Sequence, residues 1–296
     1  MQIPTNAFYD RAAQSMRGLT VQADSLQTQI STGKKLATPS QDAAAYQRLA
    51  TLKRASADAD GYAANLSLSA SLLSSADTTL SAVSDQLQRA NELTLQARTG
   101  TQNDSSRKAI ADELDQIVES LLGLGNTRDP RGQPLFGGTD GTAAVTKTAG
   151  GYSFASTPLT PIPIGESQTV QPSETAARIF QSGSTDILTA LTQFSAALKA
   201  GGNVDAAATT ALADIDRSSL QVSTLQASMG ARAARVDLEQ AQQTSAGVNR
   251  ETVRSALEDT DVATAITQLQ KTMTILSATQ ASFSKLSSLT LFNYIK

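Results

Sequence analysis

The sequence has no cysteine, no histidine and no tryptophan, and only 4% of its 296 residues are aromatic. Without cysteine there are no disulfides, thiolate metal sites or thiol nucleophiles, and without histidine there is no imidazole acid–base chemistry. No stretch reaches the roughly 18 apolar residues that cross a bilayer, so a membrane is not an expected partner. The 24 basic and 27 acidic side chains leave a net charge of −3. That excludes nucleic acid as a main partner, because phosphate binding needs a concentrated positive face. So few aromatics do not fill a wide core. The abundant Ala, Ser, Thr and Gln suit long, thin helices packed on one another.

The residues that break helices are sorted by position. Ten of the 18 glycines and six of the eight prolines lie between Gly123 and Gly183, and residues 62–99, 101–122, 203–229 and 248–296 contain neither type. Breakers gathered in the middle predict helical ends around an irregular or β-rich insert. The two ends are expected to meet, since a thin helix does not bury its stripe alone.

Hydrophobic spacing supports this. Ala12, Met16, Leu19, Ala23, Leu26 and Ile30 alternate steps of four and three. So do Tyr62, Leu66, Ser69, Leu73, Ala76, Leu80, Val83, Leu87 and Ala90, then Ile110, Leu114, Ile117, Leu121 and Leu124. Later series are Ile187, Leu191, Phe194, Leu198; Ala211, Ile215, Ser218, Val222, Leu225, Met229, Arg232, Val236; and Val262, Ile266, Leu269, Met273, Leu276, Gln280, Phe283. A repeat of 3.5 residues held this long predicts coiled-coil packing. The fold class expected is mainly α: an elongated antiparallel helical bundle or coiled coil from both chain ends, with a small β-rich central insertion.

Local signals set expected boundaries. Ser31-Thr32-Gly33 ends the first helix. Thr38 reads as the next cap, with Pro39 in the first helical position and Gln41 completing a capping box. Thr99-Gly100-Thr101 interrupts the second helix, and Asn103–Ser106 offers caps for the third. Asp259 reads as the cap of the last helix, with Asp261 in its first turn. Residues 143–148 and 152–155 flank Gly150-Gly151 as two short strands, and the prolines from 158 to 163 make Leu159–Ile164 an edge strand or extended connector.

No motif carries catalysis, a cofactor or a metal. Gly33-Lys34 lacks the earlier glycine of a phosphate loop, where Thr28 stands. Asp58–Gly61 lacks the remaining ligands of a calcium loop. The acidic clusters at Asp112, Glu113, Asp115 and at Glu258, Asp259, Asp261 read as solvated helix faces and termini. With no histidine, a serine nucleophile would depend on Lys or a carboxylate, and no Gly-x-Ser-x-Gly turn is present. Asn65-Leu66-Ser67 and Asn103-Asp104-Ser105 match the N-glycosylation pattern as expected by chance in a serine-rich chain.

The apolar extremities stand out. Phe8 and Tyr9 open one end; Leu286, Leu289, Leu291, Phe292, Tyr294 and Ile295 close the other. Burial of each contributes ~1.5–3 kcal/mol. Either the tail tucks into its own bundle or both ends lie between subunits. The inter-subunit residues expected on the second reading are Ile3, Phe8, Met16, Leu19, Leu26, Ile30, Leu276, Phe283, Leu286, Leu289, Leu291, Phe292 and Ile295.

The run Gln29-Ile30-Ser31-Thr32-Gly33-Lys34-Lys35-Leu36-Ala37-Thr38-Pro39-Ser40-Gln41-Asp42-Ala43 resembles the N-terminal signature of bacterial flagellins and hook–filament junction proteins. Gly125-Asn126, Gly132–Gly138, Pro163–Val170, Ile179-Phe180, Asp186–Leu188 and the Leu-x-Leu-Phe-x-Tyr ending at Tyr294 look more like the junction family, hook-associated protein 3, than like flagellin. Gln41 stands where the family commonly has a second acid, and Ala43 where the junction protein often has Pro, so a flagellin-like filament subunit stays open as the alternative.

The resemblance implies a structural, non-enzymatic adaptor of the flagellum. Residues 1–40 and 258–296 would be terminal polymerisation segments, 41–126 and 184–257 the two halves of a helical rod, and 127–183 a β-rich outer insert. Implied partners are identical subunits in a ring, hook-associated protein 1, flagellin and a cytoplasmic export chaperone. The opening residues Met1–Asn6 lack the features of a Sec-type signal peptide, which fits export through the flagellar type III channel to an extracellular site.

Overall fold

The computed structural model describes residues 5–99, 103–140, 143–183 and 185–293. Among them the order is α1 (Thr5–Thr32), α2 (Ala43–Arg98), α3 (Asp104–Gly125), β1 (Val145–Thr148), β2 (Gly151–Phe154), β3 (Ile162–Gly165), β4 (Gln168–Val170), α4 (Ala176–Phe180), β5 (Gln181–Ser182), β6 (Thr185–Asp186), α5 (Ile187–Ala200), α6 (Asp205–Glu258) and α7 (Val262–Asn293). The fold is mainly α with small antiparallel strand pairs in the middle of the chain. It forms two compact units, residues 1–57 with 246–296 and residues 58–245.

In the first unit α1 packs on α7. The pair is antiparallel: Tyr9 meets Phe283 edge-on with ring centroids 5.4 Å apart, while Lys34, just beyond α1, bridges Asp259, just before α7. Gly33 ends α1 with φ at 69°, a left-handed conformation that glycine adopts without a Cβ penalty.

Two helix starts differ from expectation. α2 begins at Ala43, where Asp42 caps it by accepting from the Ala45 N–H at 2.9 Å. Residues 38–41 form a separate turn closed by Gln41 N–H to Thr38 O. Gln41 Oε1 does reach back to the Thr38 N–H at 3.2 Å, but the Thr38 hydroxyl pairs with Ser40 rather than with the helix. Asp261, not Asp259, caps α7: its carboxylate accepts from the N–H groups of Ala263 and Thr264 and from the Thr264 hydroxyl.

The second unit holds the main core. Leu66, Ser69, Leu73, Ala76, Leu80, Val83, Leu87 and Ala90 of α2 are all buried, as are Ile215, Val222, Leu225, Met229 and Val236 of α6. Ser69 sits in this seam at little cost because its hydroxyl donates to the Asn65 carbonyl at 2.7 Å. Arg232, the basic residue on the α6 stripe, is half-buried and meets buried Glu174 at 2.5 Å.

α3 packs on α5, and the strand region packs against both. β1 pairs with β2 from Val145↔Phe154 to Thr148↔Gly151; β3 pairs with β4 with an irregularity at Pro163–Gly165; β5 pairs with β6. Each sheet has two strands, so Pro163 costs no ladder bond to a further neighbour, and its carbonyl accepts from Asn65 Nδ2 at 2.8 Å. Phe136, Phe180, Leu135 and Ile164 anchor the insert, each nearly fully buried.

Candidate assembly interface

The expected interface residues fall into two groups. Met16, Leu19 and Ile30 are half-buried and Leu26 is buried, on the same face of α1 as Ala12 and Ala23; Leu276 and Phe283 of α7 are half-buried. The structure thus brings α1 and α7 together within one chain. Ile3 and Ile295 lie outside the described residues, and for Phe8, Leu286, Leu289, Leu291 and Phe292 the description stops at the helical backbone.

The α7 stripe is rotated from its expected phase. The inward positions are Ala265, Leu269, Thr272, Leu276, Thr279 and Phe283, again in steps of four and three. Of these, Ala265 and Thr272 are buried and the others half-buried or less exposed than their neighbours. Small residues there let the backbone of α7 approach the bulkier Met16, Leu19 and Leu26 on α1. The consequence is a second apolar strip: Val262, Ile266 and Met273 share one side of α7 and are between 41% and 50% exposed.

A similar face exists in the second unit. On α6 the residues Leu220, Thr224, Ala227, Ala231, Ala234, Leu238, Ala241 and Ser245 follow the 3–4 spacing, and all are exposed. This series carries no charge and lies on the side of α6 away from the buried Val222, Leu225, Met229 and Val236 series. Leu220 and Leu238 are 70% and 68% exposed, and a groove of about 650 Å³ opens beside Leu220, lined by Arg178, Gln181, Arg217, Gln221 and Thr224. These residues are not among those expected from the sequence, because two series of 3–4 spacing interleave on one helix and spacing alone does not say that both are packing faces. Their spacing was the available signal.

Charge is arranged around, not within, these faces. Asp112, Glu113 and Asp115 do form a solvated helix face, paired with Lys199 and Arg89. Glu258 departs from that expectation, since only 4% of its side chain is exposed. Hydrogen bonds from Lys34 lead in holding its carboxyl below the usual carboxylate range; burial works against them, and Arg254 and Lys53 add to the lowering.

Antiparallel terminal helices, heptad seams in α2 and α6, and a strand insert following α3 make a mainly α protein with a small β insertion. Residues 3–140 match the profile of the bacterial flagellin N-terminal helical region. The sequence is similar to flagellar hook-associated protein 3 of Salmonella typhimurium, 32% identical over 62% of this chain and 57% of that protein. It is also similar to flagellin of Listeria monocytogenes, 26% identical over 50% of this chain and 52% of that one. The chain spans about half the length of the curated relatives it matches. The crystal structure of flagellar hook-associated protein 3 from Legionella pneumophila has the same fold, with a TM-score of 0.64 at 15% identity over 70% of this chain and 98% of that one.

Proposed function

We propose that this chain is a structural adaptor of the bacterial flagellum, joining the hook to the filament, with no catalytic role. The likeness to hook-associated protein 3, at 32% identity against 26% for flagellin, carries this reading. The two exposed seams fit it, because an uncharged heptad face on a long helix is a packing surface for another helix. Each large apolar residue covered there contributes ~1.5–3 kcal/mol, so a few together stabilise a subunit contact.

In this reading the chain leaves the cell through the flagellar export channel, escorted by a cytoplasmic chaperone, and works outside the cell. It forms a ring of identical subunits between hook-associated protein 1 and flagellin. The terminal segments, with Ile3, Phe8, Leu286, Leu289, Leu291, Phe292 and Ile295, join the outward residues of α7 at the subunit contacts. The test is to locate the tagged chain in intact flagella. A single position at the hook tip supports the adaptor; distribution along the filament, or growth of long filaments from the purified chain alone, replaces it with the flagellin reading. Deleting residues 286–296 is expected to abolish incorporation while leaving residues 58–245 folded.

A further inference from the structure

Two opposite sides of the unit 58–245 carry complementary surfaces. α3 bonds to α2 through Glu113 and Arg89, and to α5 through Asp115 and Lys199. α6 bonds to α2 through Asp216 and Asn91, and on its other flank Arg217 reaches Thr185, where β6 leads into α5. α2 and α5 therefore stand between α3 and α6. The two helices lie diagonally across the bundle, and their outer faces look in opposite directions.

The outer ridge of α3 is Asp112, Gln116, Glu119 and Gly123, all exposed and in steps of four and three. It is negative, because Asp112, Glu113, Asp115 and Glu119 share three cations, Lys199, Arg89 and Lys147, and Arg89 also serves Glu92. Gly123 leaves a gap in the ridge, with nothing within 4 Å of where a Cβ would stand. The α6 side is the converse. Leu220 projects there, with Arg217 one turn before it and Arg178 across the groove. The carboxylates that hold these arginines, Asp214 and Glu174, are buried, whereas the Arg217 and Arg178 side chains are 51% and 62% exposed. A guanidinium has five N–H donors. Asp214 and Thr185 take two from Arg217, and Glu174 takes one from Arg178, which leaves donors for an outside partner.

The two surfaces also stand at matching heights. α3 and α6 run the same way, since each is antiparallel to α5, and Arg107 in the first turn of α3 donates to Gly202 O in the turn that opens α6. Glu119 lies 15 residues beyond the start of α3 and Arg217 lies 12 beyond the start of α6. At ~1.5 Å per residue they are within about one turn of each other along the bundle.

We propose that the α6 ridge at Leu220 packs on the outer ridge of α3 in a second copy of this chain, with Arg217 and Arg178 against Glu119 and Leu220 seated over Gly123. This rests on the adaptor reading and names the side-to-side contact of its ring. The faces differ and look opposite ways, so each copy gives its α6 ridge to one neighbour and its α3 ridge to the other, and such a contact closes into a ring by rotation. A rotation about an axis along the helices keeps α3 and the neighbouring α6 parallel and at one height. Like charge disfavours the alternative of α6 against α6, where the arginines would meet their own kind. The contact uses residues 58–245 alone and asks nothing of the terminal segments.

The chain has no cysteine, so introduced thiols report the contact cleanly. Flagella are purified from cells whose only copy of the chain carries Gly123→Cys with Leu220→Cys, or, two turns away, Gln116→Cys with Ala213→Cys, and are treated with a short bis-maleimide. The expected result is a ladder of covalent multimers from a double variant and monomer from each single variant. Co-assembled single variants are expected to stop at dimers. In a ladder-forming background, Glu119→Lys is expected to lower the yield at least roughly tenfold. Monomer alone from both double variants after incorporation, dimer from Leu220→Cys by itself, or a yield unmoved by Glu119→Lys overturns the contact. Absence of the unaltered chain from flagella is a different result, which overturns the adaptor reading and the contact with it.

Discussion

Asn126 grips Val145 by both backbone groups: its Nδ2 donates to Val145 O at 2.8 Å, and the Val145 N–H donates to its Oδ1 at 3.0 Å. One side chain at the end of α3 thereby supplies the edge from which β1 starts. Asn126→Ala leaves a donor and an acceptor unpaired at the half-buried helix end, which costs about 1–3 kcal/mol. Asn126→Asp keeps the acceptor and loses the donor, so it is expected to fall between the two in thermal unfolding. A wild-type melting profile for Asn126→Ala would show that β1 is positioned by other contacts.

Gly125, the preceding residue, has no room for a side chain. A Cβ there would lie 2.8 Å from Val145 Cγ2 and 2.9 Å from Phe180 Cε2. Phe180 is packed and stacked on Phe154, with centroids 6.0 Å apart. Gly125→Ala is expected to destabilise by about 1–3 kcal/mol through overpacking, outweighing the ~1 kcal/mol that alanine offers a helix. Gly123 meets nothing within 4 Å, so Gly123→Ala is expected to raise the melting temperature instead. Calorimetry on the two variants separates crowding from propensity; equal signs would refute the argument.

The outward α6 seam is testable apart from the terminal segments. Leu220→Glu and Leu238→Glu change exposed side chains, so stability is expected to stay within about 0.5 kcal/mol of wild type. If that face meets another helix on assembly, each change weakens self-association roughly ten- to hundredfold. Sedimentation at matched concentrations reads this. Undiminished association of the double variant removes the seam from the interface.

Asp261 gives a pH-dependent step. The Thr264 side chain, then backbone N–H groups, hold its carboxyl below the ordinary aspartate range. A depressed carboxylate stabilises the folded form above the unfolded value, and that contribution is lost as the pH falls. Asp261→Asn keeps a capping acceptor but removes the titration. Exchange at the Thr264 amide is expected to vary with acid in the wild type and much less in the variant. Identical acid sensitivity in both would assign the effect elsewhere.

The α2 seam was legible because each of its buried positions is an apolar or small residue at heptad spacing, and periodicity reads such a face directly. On α7 the buried phase differs from the hydrophobic one: Ala265 and Thr272 are buried while Val262, Ile266 and Met273 are exposed. Hydrophobicity alone selected the larger residues; the pairing with α1 selected the smaller ones, which permit closer approach. Glu258 was unreadable for a related reason. Nothing near it in sequence announces burial, since Lys34 and Lys53 arrive from more than two hundred residues away.

By itself the sequence determined the division into helical ends and a β-bearing middle, because glycine, proline and heptad spacing act on the local backbone. It also determined that cysteine and histidine chemistry have no place here. Tertiary structure alone decided which face of α7 turns inward, where α2 and α7 begin, and that the Glu258 carboxylate ties the α1–α2 and α6–α7 connectors together. Those outcomes depend on competition between distant surfaces for the same space and the same charge, and that competition exists only once the chain is folded.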